Sequence, residues 1–118
     1  MEDFRFEQLD IWKDSIEVSD ELFDYADEAD KKKYFKFAEQ LRSAGMSISN
    51  NIAEGSGSFS VKEFSSFLNI ARRSLFECVN ILYIFERRKI ITSTGKNSMR
   101  VKLLLLSKKI TAFRKSIQ

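Results

Sequence analysis

Between residues 60 and 88 the chain reads SVKEFSSFLNIARRSLFECVNILYIFERR, and its apolar positions recur at alternating steps of three and four: Phe64, Leu68, Ala71, Leu75, Cys78, Leu82, Phe85. A repeat of about 3.5 residues places them on one stripe of an α-helix and is incompatible with the two-residue alternation of a half-buried strand. Ser60 and Glu63 form an S-x-x-E pair at the start, the pattern of a capping box. Three further blocks keep the same rhythm. Leu9, Trp12, Ile16, Ser19, Phe23 and Ala26, widened by Leu22, make the first. Tyr34, Phe37, Leu41, Ala44, Ile48 and Ile52 make the second, and Met99, Leu103, Leu106, Ile110, Phe113 and Ile117 the last. The chain has no proline and only 4 glycines, so the main helix breakers are missing from the blocks.

The segments between the blocks supply the turns. Asp27 to Lys33 is charged, Gly55-Ser56-Gly57-Ser58 is flexible, and Ser93 to Ser98 contains Gly95 with Ser93 or Thr94 as a helix cap. Helices are expected over about 8–29, 33–54, 60–88 and 95–117, within a single domain spanning residues 1–118. The resulting fold class is all-α, an up-down-up-down antiparallel four-helix bundle. Gly55 is read as a left-handed C-terminal cap, and Phe4 and Phe6 as cover for one end of the core.

Composition narrows the chemistry. The 118 residues include no His and one Cys, which removes the commonest general base, the commonest metal ligand and any internal disulfide. Glu17 and Glu21 share a helical face, but a ferritin-like metal centre needs Glu-x-x-His, so no metal site and no cofactor are expected. Gly55-x-Gly57 and Gly95-Lys96 lack the spacing of a phosphate loop. Ser74 has no His to activate it, and Cys78 lies on the apolar stripe as a small core residue. The expectation is a protein that is not an enzyme and has no catalytic residues. No uncharged run approaches the roughly 18 residues of a membrane span, and the acidic Glu2-Asp3 start is unlike a signal peptide, so a cytoplasmic location without a membrane partner is expected.

The net charge of +3 conceals a division. Residues 1–59 hold 7 Lys+Arg against 14 Asp+Glu, a balance of −7, whereas residues 60–118 hold 13 against 3, a balance of +10. Residues 7–30 carry ten acids and Lys13 alone among bases; residues 96–115 carry seven bases and no acid. The bundle topology sets the first and last helices side by side. The asymmetry therefore reads as solvated neighbouring faces, as pairing within or between subunits, or as a basic face for nucleic acid. Candidate nucleic-acid-binding residues are Arg87, Arg88 and Lys89 at the end of the third helix. On the fourth they are Lys96, Arg100, Lys102, Lys108, Lys109, Arg114 and Lys115. Arg87 to Lys89 also suit the negative end of the helix dipole without any ligand. No aromatic RNA-recognition signature is present, so any contact would fall on phosphates and be largely independent of sequence.

A polar cluster flanks the second loop. Gln40-Leu41-Arg42-Ser43-Ala44 and Ser47-Ile48-Ser49-Asn50-Asn51-Ile52-Ala53-Glu54-Gly55 precede it, and Phe67-Leu68-Asn69-Ile70-Ala71-Arg72-Arg73-Ser74-Leu75-Phe76-Glu77 follows. With the opening Phe6-Glu7-Gln8-Leu9-Asp10-Ile11-Trp12-Lys13, these motifs resemble the four-helix bundle proteins encoded in intervening sequences of bacterial 23S ribosomal RNA genes. The resemblance covers roughly residues 6 to 91. Ser49 stands where the family often has Pro, and Arg73 where it often has Gly. The resemblance implies a homo-oligomeric ring, pentameric where the family is known, with no established enzymatic activity. That family in turn resembles the basic accessory proteins of diversity-generating retroelements, which associate with reverse transcriptase and nucleic acid. RNA or DNA, or a protein partner, are thus the expected ligands. From the residues alone, Asn51, Glu54, Arg72, Ser74 and Glu77 form a candidate polar network, fixing helix register or lying at a subunit interface.

Overall fold

In the computed structural model, which describes residues 2–118, a short 3₁₀ turn at Arg5–Gln8 leads into four helices. These are α1 (Asp10–Lys31), α2 (Phe35–Ser56), α3 (Val61–Arg87) and α4 (Ser93–Ile117). Each helix packs on the next and α4 returns to α1, which closes an antiparallel up-down-up-down bundle about 44 Å long. The charged and flexible segments identified in the sequence are the connections. Thr92, one residue earlier than expected, caps α4: its Oγ1 accepts the Gly95 N–H at 3.0 Å. Ser60 Oγ caps α3 by accepting the Glu63 N–H at 3.1 Å.

All seven stripe residues of α3 are buried, and they pack against Leu41, Ala44, Ile48 and Ile52 of α2 and Met99, Leu103, Leu106 and Ile110 of α4. Each large side chain withdrawn from water this way contributes about 1.5–3 kcal/mol. The first helix departs from expectation. Its core face runs Ile11, Ser15, Val18, Ser19, Leu22, Ala26 and Ala29, whereas Ile16 remains 44% exposed. The stripe is turned because two serines can enter the core once their hydroxyls are satisfied. Ser15 Oγ donates to Trp12 O at 2.7 Å, and Ser19 Oγ donates across the helix pair to Gly45 O at 3.0 Å. Hydropathy alone ranks Ile16 above Ser15. Hydrogen bonding and a close helix approach reverse the order.

Gly55 is a second departure. It lies inside α2, buried, and no glycine of the described chain has a positive φ. Its function is proximity: a Cβ at this position would fall 2.6 Å from Phe67 Cβ and 2.9 Å from Phe64 Cδ1. The left-handed residues are instead two lysines, Lys33 (φ 68) and Lys89 (φ 60). Each sits just past a helix in a Schellman turn. Tyr34 N–H donates to Ala29 O and Lys33 N–H to Asp30 O in the first; Ile90 N–H donates to Phe85 O and Lys89 N–H to Glu86 O in the second. A Cβ in this conformation costs about 1–2 kcal/mol. Lys33→Gly is therefore expected to stabilise the protein by about 0.5–1 kcal/mol, read as a higher denaturant midpoint at unchanged slope.

At the opposite end Phe6 packs on Trp12 with ring centroids 5.0 Å apart, while Phe4 stacks on Phe6 and stays exposed. The cover expected of both rings is thus supplied by Phe6. Arg5 lies 4.9 Å over the Phe64 ring, which meets Phe113 of α4 edge-on and ties the N-terminal segment to three helices.

Candidate nucleic-acid interface

Up-down topology puts the α1–α2 and α3–α4 turns at the same end of the bundle. Lys32 Nζ donates to Lys89 O at 2.6 Å, joining two turns that are 57 residues apart in sequence. Around this bond lie Lys31, Lys33, Lys36, Arg87, Arg88 and Lys89, all exposed. Only Arg87, Arg88 and Lys89 of this cluster were legible as candidates. The Lys31–Lys33 run reads in sequence as an ordinary charged turn, and no local signal places it beside Arg88. Lys31 has a partner in Glu28 at 3.0 Å, which holds its ammonium above the usual lysine range.

The basic residues of α4 divide by partner. Lys102 Nζ meets Glu21 at 2.6 Å and Lys109 Nζ meets Asp14 at 2.9 Å, so the acidic and basic helices do pair along their shared edge. The hydrogen bond from Asp14, followed by its charge, raises the Lys109 pKa. Between these pairs a groove of about 490 Å³ runs along α1 and α4, lined by acids and lysines together. A polyanion would meet four carboxylates here, those of Asp14, Glu17, Asp20 and Glu21, against the two ammonium groups of Lys102 and Lys109.

Lys96 is 8% exposed; its Nζ lies 4.3 Å over the Tyr83 ring and 3.5 Å from Glu86. It acts as a clasp between α3 and α4, and its burial removes it from the solvent-facing set expected from sequence. The helical spacing that put Lys96 among polar positions did not register the Tyr83 ring. Arg114 is exposed but anchored through its Nε to Ser65 O at 3.3 Å. Arg100, Lys108 and Lys115 are exposed and, among the described residues, outside the ion pairs.

The polar network around the second loop is assembled in part. Asn51 Nδ2 donates to Ser47 O at 2.7 Å and to Ser47 Oγ at 2.9 Å, and Ser47 Oγ lies 2.7 Å from Ser74 Oγ on α3. This chain of bonds fixes the register of α2 against α3 inside one subunit. Ser47, the bridge, is not among the candidates expected from sequence. Glu54 and Glu77 are exposed and stand apart from it. Arg72 turns away too, its guanidinium carbon 4.6 Å over the Phe76 ring. Arg42, in the same motif, instead joins α2 to α1 by reaching Asp27 and Asp30, each at 2.6 Å. Those two bonds, Asp30's first, raise its pKa further.

One surface of α3 and α4 is markedly apolar. Phe76 (52% exposed), Tyr83 and Leu104 surround a groove of about 350 Å³ floored by Leu75 and Val79, with Arg100 on its rim.

The arrangement has known counterparts. Residues 7–112 match the 23S rRNA-intervening sequence protein family. The chain belongs to that family. A solved structure from Bacteroides thetaiotaomicron, described as a protein of unknown function from the S23 ribosomal protein family, superimposes with a TM-score of 0.84 at 24% identity. The match covers 89% of this chain and 98% of that one, and it speaks to the shared fold. No curated protein matches. Among the described residues, no helix is long and apolar enough to cross a membrane. Membership in the intervening-sequence family thus rests on nearly the whole bundle, including both halves of the Asn51–Ser47–Ser74 linkage.

Proposed function

We propose that this intervening-sequence family member is a non-enzymatic, cytoplasmic, homo-oligomeric bundle that binds RNA or DNA through phosphate contacts at its loop end. The observation that carries the reading is the meeting of Lys31–Lys33 and Arg87–Lys89 around the Lys32–Lys89 bond. Clustered cations that release counterions from a phosphate backbone provide affinity without sequence preference. Arg100, Lys108 and Lys115 extend the charge along α4. Self-association is supported by the apolar groove around Phe76, Tyr83 and Leu104, since exposed patches rimmed by polar groups are typical of interaction sites. Repetition of the basic end by symmetry would multiply the phosphates it engages, and a pentamer is the assembly suggested by the family resemblance. The same groove favours a second reading, a protein-interaction module without a nucleic-acid ligand.

Light scattering gives the oligomer size, and fluorescence anisotropy with single-stranded RNA and duplex DNA over a salt series tests the ligand. Binding is expected to weaken linearly in log–log form as salt rises. The combined reversal Lys33→Glu, Arg88→Glu and Lys89→Glu should reduce the slope by roughly one for each phosphate no longer neutralised and weaken binding at least about tenfold. Lys109→Gln, at a residue already held by Asp14, should change binding little. No binding at low salt, or binding indifferent to the triple reversal, would overturn the loop-end assignment and favour the protein-interaction reading.

A further inference from the structure

A second cleft between α3 and α4 lies near the other end of the bundle, about 24 Å along α3 from Arg88 at 1.5 Å per residue. Its volume is about 280 Å³, and it is lined by Leu68, Asn69, Arg72, Ile110, Thr111 and Arg114. Two arginines thus line one small space, and no acidic residue does. No acid is available from α4, which contains no Asp or Glu. The three acids of α3 are Glu63, Glu77 and Glu86, and none of them borders the cleft. Neither Arg72 nor Arg114 takes part in an ion pair among the described residues.

The two arginines are held in different ways. Arg114 is pinned by the bond from its Nε to Ser65 O, which leaves its terminal nitrogens uncommitted. Arg72 rests on the Phe76 ring, and its Nε is shut off from solvent without a hydrogen-bond partner. A guanidinium outside every ion pair of the described residues keeps its terminal N–H groups for an incoming anion, and a charge-assisted bond to one is about twice as strong as a neutral one. Asn69 adds an amide to the lining. Thr111 Oγ1 already donates to Ser107 O at 3.0 Å, so the free donors are Arg72, Arg114 and Asn69.

We propose that the Arg72–Asn69–Arg114 cleft binds one phosphate group. Two arginines supplied by separate helices suit a tetrahedral dianion, which offers oxygens on several sides. A carboxylate presents two oxygens in one plane and is satisfied by a single guanidinium. The group can be free inorganic phosphate or the terminal phosphate of a nucleic-acid strand; the recognition chemistry is shared. The site is separate from the loop end and does not depend on the nucleic-acid reading.

The test is thermal unfolding of the full chain in phosphate against chloride at matched ionic strength, beside ³¹P line broadening of inorganic phosphate. Saturable stabilisation is expected, with a Tm rise of about 3–6 °C at ten times the dissociation constant. Arg72→Gln and Arg114→Gln, which keep most of each stem, should each abolish both the Tm shift and the broadening while leaving the folded protein intact. A strand with a 5′-phosphate that outbinds its 5′-hydroxyl twin several-fold, with the advantage lost in Arg72→Gln, identifies the strand end as the source. Equal affinity of the two strands beside saturable phosphate binding identifies free phosphate. Stabilisation that follows ionic strength alone, or survives in both variants, overturns the proposal. A change of oligomer size in Arg72→Gln without any phosphate effect overturns it too and assigns the cleft to a subunit contact.

Discussion

Gly55→Ala is expected to destabilise the bundle by about 1–3 kcal/mol and to lower Tm by roughly 4–12 °C. The added methyl falls 2.6 Å from Phe67 Cβ, an atom fixed to the α3 backbone, and 2.9 Å from the Phe64 ring. Neither can yield by a simple rotamer change, because Phe64 is itself buried against Phe113 and beneath Arg5. Relief requires α2 and α3 to separate where they pack most extensively. The substitution gains up to about 1 kcal/mol of helix propensity, and this is outweighed. A graded series makes the mechanism visible. A Cβ at Gly45 would meet Phe23 Cε1 at 3.3 Å, and one at Gly57 would come no nearer than 3.4 Å to Glu54 O. Equilibrium unfolding should rank the losses Gly55 first, Gly45 second and Gly57 near zero. Equal effects at Gly55 and Gly57 would show that helix-end flexibility, not interhelical distance, governs this segment.

The largest reactivity effect is expected at Cys78. Its thiol lies within the α3 stripe, fully buried, and burial first, then the charge of Glu77, pushes its pKa from 9.0 to about 12. At pH 8 the thiolate fraction in the folded chain is therefore about a thousandfold below that in the unfolded chain, before any steric exclusion. Alkylation should accordingly be slow under native conditions and rapid in denaturant, with a rate that reports global opening. Linkage fixes the pH dependence. The folded state holds the thiol proton more tightly, so this contribution to stability is complete below about pH 9 and is lost as pH rises from 9 towards 12. Cys78→Ala should remove that alkaline loss while lowering stability elsewhere by the cavity it leaves. Native alkylation as fast as in denaturant would contradict the packing described for α3.

The distribution of charge along the chain was informative but incomplete. It identified an acidic first helix and a basic last one, and the bundle topology placed them together. The ion pairs Lys102–Glu21 and Lys109–Asp14 realise that expectation. They also withdraw two lysines from the surface that the charge tally had offered to nucleic acid, and burial withdraws Lys96. The Lys31–Lys33 run appeared in the candidate interface only when the turns met in space. Local spacing reveals which residues share a helix face. It carries no information about which turn lies beside another across 57 residues.

The helices, their number and their antiparallel order are legible without coordinates, because an apolar repeat of about 3.5 residues and short polar connections are local properties. The sequence also carried the family resemblance, in motifs that remain recognisable on their own. Tertiary structure decided the rest: which face of α1 enters the core, why residue 55 is glycine, which lysines are engaged by acids, and which arginines face a common cleft. Each of these depends on distances between helices. A hydroxyl that finds a carbonyl, a ring that excludes a methyl, or a guanidinium that meets no carboxylate is defined by a neighbour distant in sequence. Hydrophobic periodicity specifies that a face is buried; only the opposing helix specifies against what.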